Sequence, residues 1–132
     1  MRPLAIFLVG LVIVFGALAA VIVLSRPTER VFVIVDNSFP MRSVWNQVPR
    51  TLDELADETY AEFALATEKG LVHSWQDSFE FRGRTPYAPC DFEGIDAYAE
   101  ADEADARVLI TTSRSCPTDG LTNWQVIQLD PN

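Results

Sequence analysis

One histidine, two cysteines and six glycines in 132 residues leave little material for most catalytic machinery. A serine-hydrolase triad would have to use His73 with Ser38 or Ser74 as nucleophile, and no Gly-x-Ser-x-Gly elbow surrounds either serine. His73 therefore reads as a structural side chain of a short strand. No glycine-rich loop is present to cradle a phosphate, and no CxxC pair or histidine-rich set suggests zinc. Repeats and low-complexity segments are absent. Positive charge is also scarce: ten Lys and Arg stand against 19 Asp and Glu. An acidic body of this kind argues against nucleic acid and anionic lipid as ligands, since both demand a basic face. It suits cation binding, and it equally suits simple solubility.

What is abundant comes first in the chain. Residues 4–24 carry no charged or strongly polar side chain. At 1.5 Å rise per residue they would span about 30 Å, the thickness of a bilayer's hydrocarbon. The pattern predicts a retained signal-anchor, a single transmembrane helix over residues 1–25, followed by a short tether at 26–30 containing Pro27. A cleaved signal peptide is the alternative, with Ala17-Leu18-Ala19 as a small-residue site, and a buried helix is a third. Arg2 and the amino terminus before the run nearly balance Arg26 and Arg30 after it, so the positive-inside count does not choose an orientation. The cysteines do. Cys90 and Cys116 form an isolated pair that reads as one disulfide, with two buried free thiols as the other reading. A disulfide calls for an oxidising compartment, and so for an extracytoplasmic domain at residues 31–132 on a single-pass membrane protein.

The domain is organised around VFVIV at residues 31–35, five apolar residues that suit a strand buried on both faces. It stops at Asp36, Asn37 and Ser38, and ligands of open α/β sheets sit at the carboxyl ends of strands. Beyond it, residues 42–69 read as a long helical region. Leu52, Leu55, Ala56, Thr59, Phe63 and Ala66 make one stripe, Thr51 and Glu54 resemble a capping box, and Gly70 supplies a stop. Residues 71–75 and 78–82 then look like a hairpin turning at Gln76-Asp77. After a proline-broken loop at 83–89, Asp91 can cap a helix reaching about Ala104. Its inner side is Ile95, Tyr98 and Ala99, and its acidic outer side is Glu93, Asp96, Glu100, Asp102, Glu103 and Asp105, a solvated face. RVLITT at 107–112 and WQVIQL at 124–129 are further strands. Trp45, Trp75 and Trp124 suit core packing. Strands alternating with helices predict an α/β fold, a small sheet with helices layered on it.

This order of elements, together with Asp36-x-Ser38 at the end of a buried strand, resembles a von Willebrand factor type A domain in reduced and degenerate form. The resemblance implies a divalent cation held by Asp-x-Ser-x-Ser with a Thr and an Asp from later loops, the cation then receiving a partner's carboxylate. Asp36 and Ser38 match the first two positions, Pro40 replaces the third, and Thr85 is the candidate for the threonine. Thr111, Thr112 and Ser113 occupy the turn where the later Asp is expected, and Asp119 in Thr118-Asp119-Gly120 comes several residues late. Residues 113–123 are too short for a crossover helix. The metal set implied is Asp36, Ser38 and Thr85, with Mg²⁺ or Mn²⁺ held weakly or no cofactor at all. The other reading has Asp36 capping the next helix and Ser38 bonding local backbone.

Function follows as an expectation. The chain reads as a membrane-anchored, non-catalytic binding or scaffold module for another envelope or membrane protein. Asn37, Phe39, Pro40, Met41, Arg84, Ser113 and Arg114 lie in its contact loops. The alternative is a hydrolase using Asp36 or a bound divalent cation. An aspartate-nucleophile phosphatase is set aside, because Ser38 stands where its second acid belongs.

Overall fold

A computed structural model describes residues 2–24 and 28–131 of the chain, so the expected tether lies outside the described residues at 26 and 27. The first strand, β1 (Glu29–Val35), begins two residues ahead of the VFVIV run. The others are β2 (Ala61–Thr67), β3 (Gly70–Gln76), β4 (Ala106–Thr111) and β5 (Gln125–Gln128). They form one sheet in the order β3-β2-β1-β4-β5. β1 runs parallel to both β2 and β4, β5 runs parallel to β4, and only β3 is antiparallel. The chain builds outward from β1 to one side and then returns to build on the other. The switch point, where such sheets open a crevice, therefore lies between the carboxyl ends of β1 and β4.

Both faces of β1 are covered, which is why Val31 to Val35 are all buried. Val31, Val33 and Val35 join Phe63, Leu65, Val108 and Ile110 beneath helix α2 (Val48–Glu58), which contributes Val48 and Leu52. Two 3-10 turns, Phe39–Ser43 and Trp45–Gln47, cover the same face with Met41 and Val44. Phe32 and Ile34 point the other way, with Ala64, Ala66 and Leu109. There they meet Ile95, Trp124 and Ala101, the last from helix α3 (Ala99–Glu103). The result is a three-layer α/β arrangement. Full burial of a side chain such as Phe32 or Ile34 contributes about 1.5–3 kcal/mol.

Several expectations are corrected. The helix expected over 42–69 ends at Glu58, and Ala61 to Thr67 is a central strand. Phe63 and Ala66 fit a helical stripe by spacing, but a segment lying between β1 and β3 is buried on alternate positions of both faces, and sheet pairing overrides the spacing. Thr51 is no cap: its hydroxyl donates to the Gln47 carbonyl at 3.0 Å, one turn back. The hairpin joins β2 to β3 through Glu68-Lys69, so Gly70 opens a strand instead of stopping a helix. Residues 78–82 are not a strand. They form a strap laid over the α2 side of the sheet, with Phe79 4.6 Å from Phe63 and Phe81 5.4 Å from Trp45, ring centre to ring centre. The helix expected from Asp91 is a 3-10 turn, Ile95–Ala97, followed by α3. Gly94 (φ 83°) introduces the turn from the left-handed region that favours glycine, and extended Tyr98 (ψ 137°) separates it from α3. Ile95 is buried as expected, but the inward alanine is Ala101, not Ala99.

The transmembrane helix is also corrected. Residues 2–24 are helical as α1 (Arg2–Leu24), and Ile6, Val12 and Val21 are among its exposed apolar side chains. Among the described residues, however, no helix is long and apolar enough to cross a membrane. The signal-anchor and the single-pass membrane location that rested on it are withdrawn with it.

Candidate functional site

Asp36 is fully buried at the switch point, one residue past β1. The register that pairs Val35 with Ile110 brings Thr111 beside it. Its Oδ1 accepts the Ser38 N–H at 2.9 Å, a local turn that explains why a short polar run follows the strand. Its Oδ2 accepts the Thr111 hydroxyl at 2.7 Å and the Ser115 hydroxyl. Ser115 and Ser38 hydroxyls lie 3.3 Å apart. Burial alone would push the Asp36 carboxyl up. The hydrogen bonds from Ser115, Ser38 and Thr111 outweigh it and hold the group below the usual aspartate value.

A second carboxylate stands next to it. Carboxylate oxygens of Asp36 and Glu68 and the Cys90 sulfur lie within 4.8 Å of one another. The Glu68 side chain has no exposure, and Lys69 Nζ donates to it at 2.7 Å. The Asp91 N–H donates to its other oxygen at 2.8 Å. Burial pushes the Glu68 carboxyl up, and the negative charge of Asp36 adds to the rise, against the pull of Lys69 and the Asp91 N–H. Two carboxyls driven in opposite directions form the pattern of an acid and a base. Here neither reaches solvent. An open groove of about 600 Å³ is lined by Val72, Phe79, Glu80, Arg82 and Arg84, none of which belongs to this cluster.

The residues fit a divalent cation poorly. Both oxygens of Asp36 are engaged by the chain's own donors, and Glu68 already faces an ammonium group. Cys90 is bonded to Cys116, so its sulfur is no thiolate ligand. Pro40 has no ligand atom, and Mg²⁺ demands converging oxygens in near-octahedral array. Thr85 is exposed on its loop instead of lining the cluster, and Asp119 is exposed as well. Ser113 donates to Asp130 at 3.0 Å.

Above this cluster the loops are joined to one another. The Tyr87 N–H donates to the Asn37 carbonyl at 2.7 Å, and the Phe39 N–H donates to the Ala88 carbonyl at 3.0 Å. Ala88 takes φ 65°, a conformation costly to a residue with a Cβ, and holds it at this junction. The Cys90–Cys116 disulfide expected from the sequence is present and ties the 82–89 side to the 113–120 loop. Of the expected contact residues, Phe39, Arg84, Ser113 and Arg114 are exposed and Pro40 is half-buried. Asn37 and Met41 are buried and cannot meet a partner: the 3-10 turn after Ser38 directs Met41 into the core under α2. Tyr87 was not anticipated, and it is half exposed beside Phe39's loop.

Comparison with protein-family models, curated proteins and solved structures finds no match to this chain. Sequence reasoning placed Asp36 and Ser38 correctly at a strand end and Thr111 in the turn that faces them, but missed Glu68 and Ser115 as their neighbours. Glu68 could have been found from Thr67-Glu68-Lys69-Gly70, had the alternation of Ala61, Phe63 and Leu65 been read as a strand ending there.

Proposed function

We propose that this domain is a non-catalytic binding module that recognises a protein partner through the loops at the carboxyl end of its sheet. The observation that carries the reading is a pair of aromatic rings held out on two loops that bond one another. Phe39 is 50% and Tyr87 51% exposed, and a cation lies over each ring, Arg42 at 5.3 Å and Lys69 at 5.3 Å. Exposed aromatics beside arginine are the composition of interface hot spots. Backbone bonds, a disulfide and the Asp36 cluster fix these loops beforehand, which lowers the ordering cost of binding.

The resemblance to a von Willebrand A domain enters this reading through Asp36 and Ser38 alone. It gives a divalent cation a weak, accessory place at most, for the ligand reasons above. Titration calorimetry with Mg²⁺ and Mn²⁺ is expected to give little heat. Binding of about micromolar strength that Asp36→Ala abolishes would overturn this part. The hydrolase alternative draws on the opposed Asp36 and Glu68 carboxyls, and their enclosure counts against it.

Site-specific photo-cross-linking tests the main reading. A photoreactive phenylalanine at position 39 or 87 is expected to trap a protein partner. The same probe at Tyr60, 94% exposed just before β2 at the opposite end of the sheet, is expected to trap none. Equal trapping at Tyr60, or none at 39 and 87, would reject the loops as the recognition surface.

A further inference from the structure

The described arginine side chains divide by place. Arg30 and Arg107 lie at the amino ends of the strands and Arg50 on α2, and each has a carboxylate within 4.0 Å. Arg42, Arg82, Arg84 and Arg114 lie on those loops and that strap. Among the described residues none of these four has a carboxylate within that distance, in a chain with 19 acidic residues to choose from. The arginines of the amino end and of α2 are paired, and those of the carboxyl-end loops and the strap are not.

Two of the unpaired four share one groove. It measures about 600 Å³, with Val72 and Phe79 as apolar lining, Arg82 and Arg84 as cations and Glu80 as the single carboxylate. A second cleft of about 310 Å³ lies between the strap and α2, lined among others by Leu52, Phe81 and again Arg82. The strap between them is well anchored. Phe79 packs on Phe63, the Glu80 N–H reaches His73 Nε2 at 3.4 Å, and Trp45 Nε1 donates to the Arg84 carbonyl at 3.0 Å.

We propose that this groove takes an acidic, partly apolar segment of the protein partner, its carboxylates on Arg82 and Arg84 and its apolar side chains on Val72 and Phe79. The proposal rests on the binding-module reading above and names the chemistry of its partner. Guanidinium groups bind carboxylates through paired, charge-assisted hydrogen bonds. The rest of the molecule adds selectivity: a body of net charge −9 repels an acidic segment, while this strip sets two unpaired arginines against one carboxylate and so favours docking there. A nucleic acid meets the same repulsion with a far denser charge and gains little from an apolar lining.

Fluorescence anisotropy on the full chain tests it, with a labelled peptide of alternating glutamate and leucine, a lysine–leucine counterpart and an oligo-dT as probes. The acidic peptide is expected to bind, more weakly at high salt, and the other two are not. Joint R82E and R84E is expected to weaken binding about tenfold or more, and joint R82A and R84A by less, with unchanged circular dichroism. R50A, which removes a paired arginine off the groove, is expected to leave affinity unchanged. No binding of the acidic peptide, or affinity indifferent to Arg82 and Arg84, overturns the proposal. Preference for oligo-dT overturns it in favour of nucleic acid. Cross-linking at Phe39 or Tyr87 that persists in the R82E and R84E double variant overturns this inference while the binding-module reading stands. Acidic-peptide binding that depends on Arg82 and Arg84, without any cross-link at 39 or 87, supports the groove and rejects the loop tips.

Discussion

The two ends of the sheet handle charge in opposite ways. At the amino ends of the strands, Arg30 Nε reaches Glu62 at 3.2 Å and an Nη reaches Glu103 at 3.3 Å, while its guanidinium lies 5.1 Å over Trp75. Its backbone N–H donates to the Asp105 carboxylate and its carbonyl accepts the Asp105 N–H, which pins the start of β1 to the start of β4. These charges are partly exposed and paired, so each contact contributes little alone. At the carboxyl ends a carboxylate is buried and satisfied by hydroxyl and N–H donors, with arginines nearby left unpaired. Hydrogen bonds to an enclosed charge contribute more than exposed ion pairs, and removing the acceptor strands the donors. One end therefore closes the domain with arginine ion pairs, and the other closes it with hydrogen bonds and the Lys69–Glu68 pair, which leaves Arg42, Arg82, Arg84 and Arg114 to a partner.

The largest break in that comparison is expected from Asp36→Ala. It strips the acceptor from the Ser38 N–H and from the Thr111 and Ser115 hydroxyls at once, for a cost of about 3–5 kcal/mol by urea unfolding at neutral pH. The cost should shrink in acid. A carboxyl with a lowered folded pKa contributes stability above its unfolded value and loses it as pH falls through the folded one. A loss below about 1 kcal/mol, typical of an exposed pair, would show that the two ends do not differ in kind.

Next comes the disulfide. Cys90 and Cys116 are 26 residues apart in sequence, and opening that loop by replacing both with serine is expected to cost about 3 kcal/mol. Because the bridge joins loops at the carboxyl end only, hydrogen exchange should quicken around residues 84–90 and 113–118 while β1 and β2 stay protected. Uniform quickening would mean that the bridge holds the whole fold and not that end.

The contrast between the ends was only half visible beforehand. β1 was legible because it is buried on both faces and reads as an unbroken apolar run, β4 because of its short Val-Leu-Ile core, and Asp36 and Ser38 because a polar turn cuts β1 short. β2 was not. Ala61, Phe63 and Leu65 alternate, but they follow a helix closely and Phe63 and Ala66 keep its spacing, so only the pairing with β1 decides. Losing β2 hid Glu68, which then lay inside an imagined helix instead of at a strand end beside Asp36. Ser115 was hidden for another reason: it meets Asp36 across 79 residues of sequence, through a loop with no pattern of its own. At the amino end, the acidic face around α3 was read as solvated. In fact Asp96 receives the Trp124 indole N–H, and Glu103 receives that of Trp75 and the Arg30 guanidinium.

Glu68 sharpens the comparison through pH. Its raised folded pKa, caused first by burial and then by Asp36, contributes stability that is present below its unfolded value and lost as pH rises through the folded one. This is the opposite sign to Asp36. Glu68→Gln removes the titration, so the variant should lack the decline that the parent shows on going from acid toward neutral pH. Unfolding curves that stay parallel across this range would mean that Lys69 holds Glu68 ionised throughout.

The smallest effects test the arginines themselves. Arg30→Ala removes two ion pairs and a ring contact, all partly exposed, and is expected to cost about 1 kcal/mol. Arg42, Arg82, Arg84 and Arg114, changed singly to alanine, have no carboxylate partner to lose and should each stay within about 0.5 kcal/mol of the parent. Arg42 comes nearest that limit, because it also leaves the Phe39 ring. A domain of net charge −9 gains from every positive charge that relieves repulsion, so a slight general loss is expected across all four. High salt should erase that shared part, since screening acts on dispersed charge. If one of the four instead costs as much as Arg30 and keeps that cost in salt, it holds a structural contact. It is then not free for a partner, and the division between a paired end and an unpaired end fails at that residue.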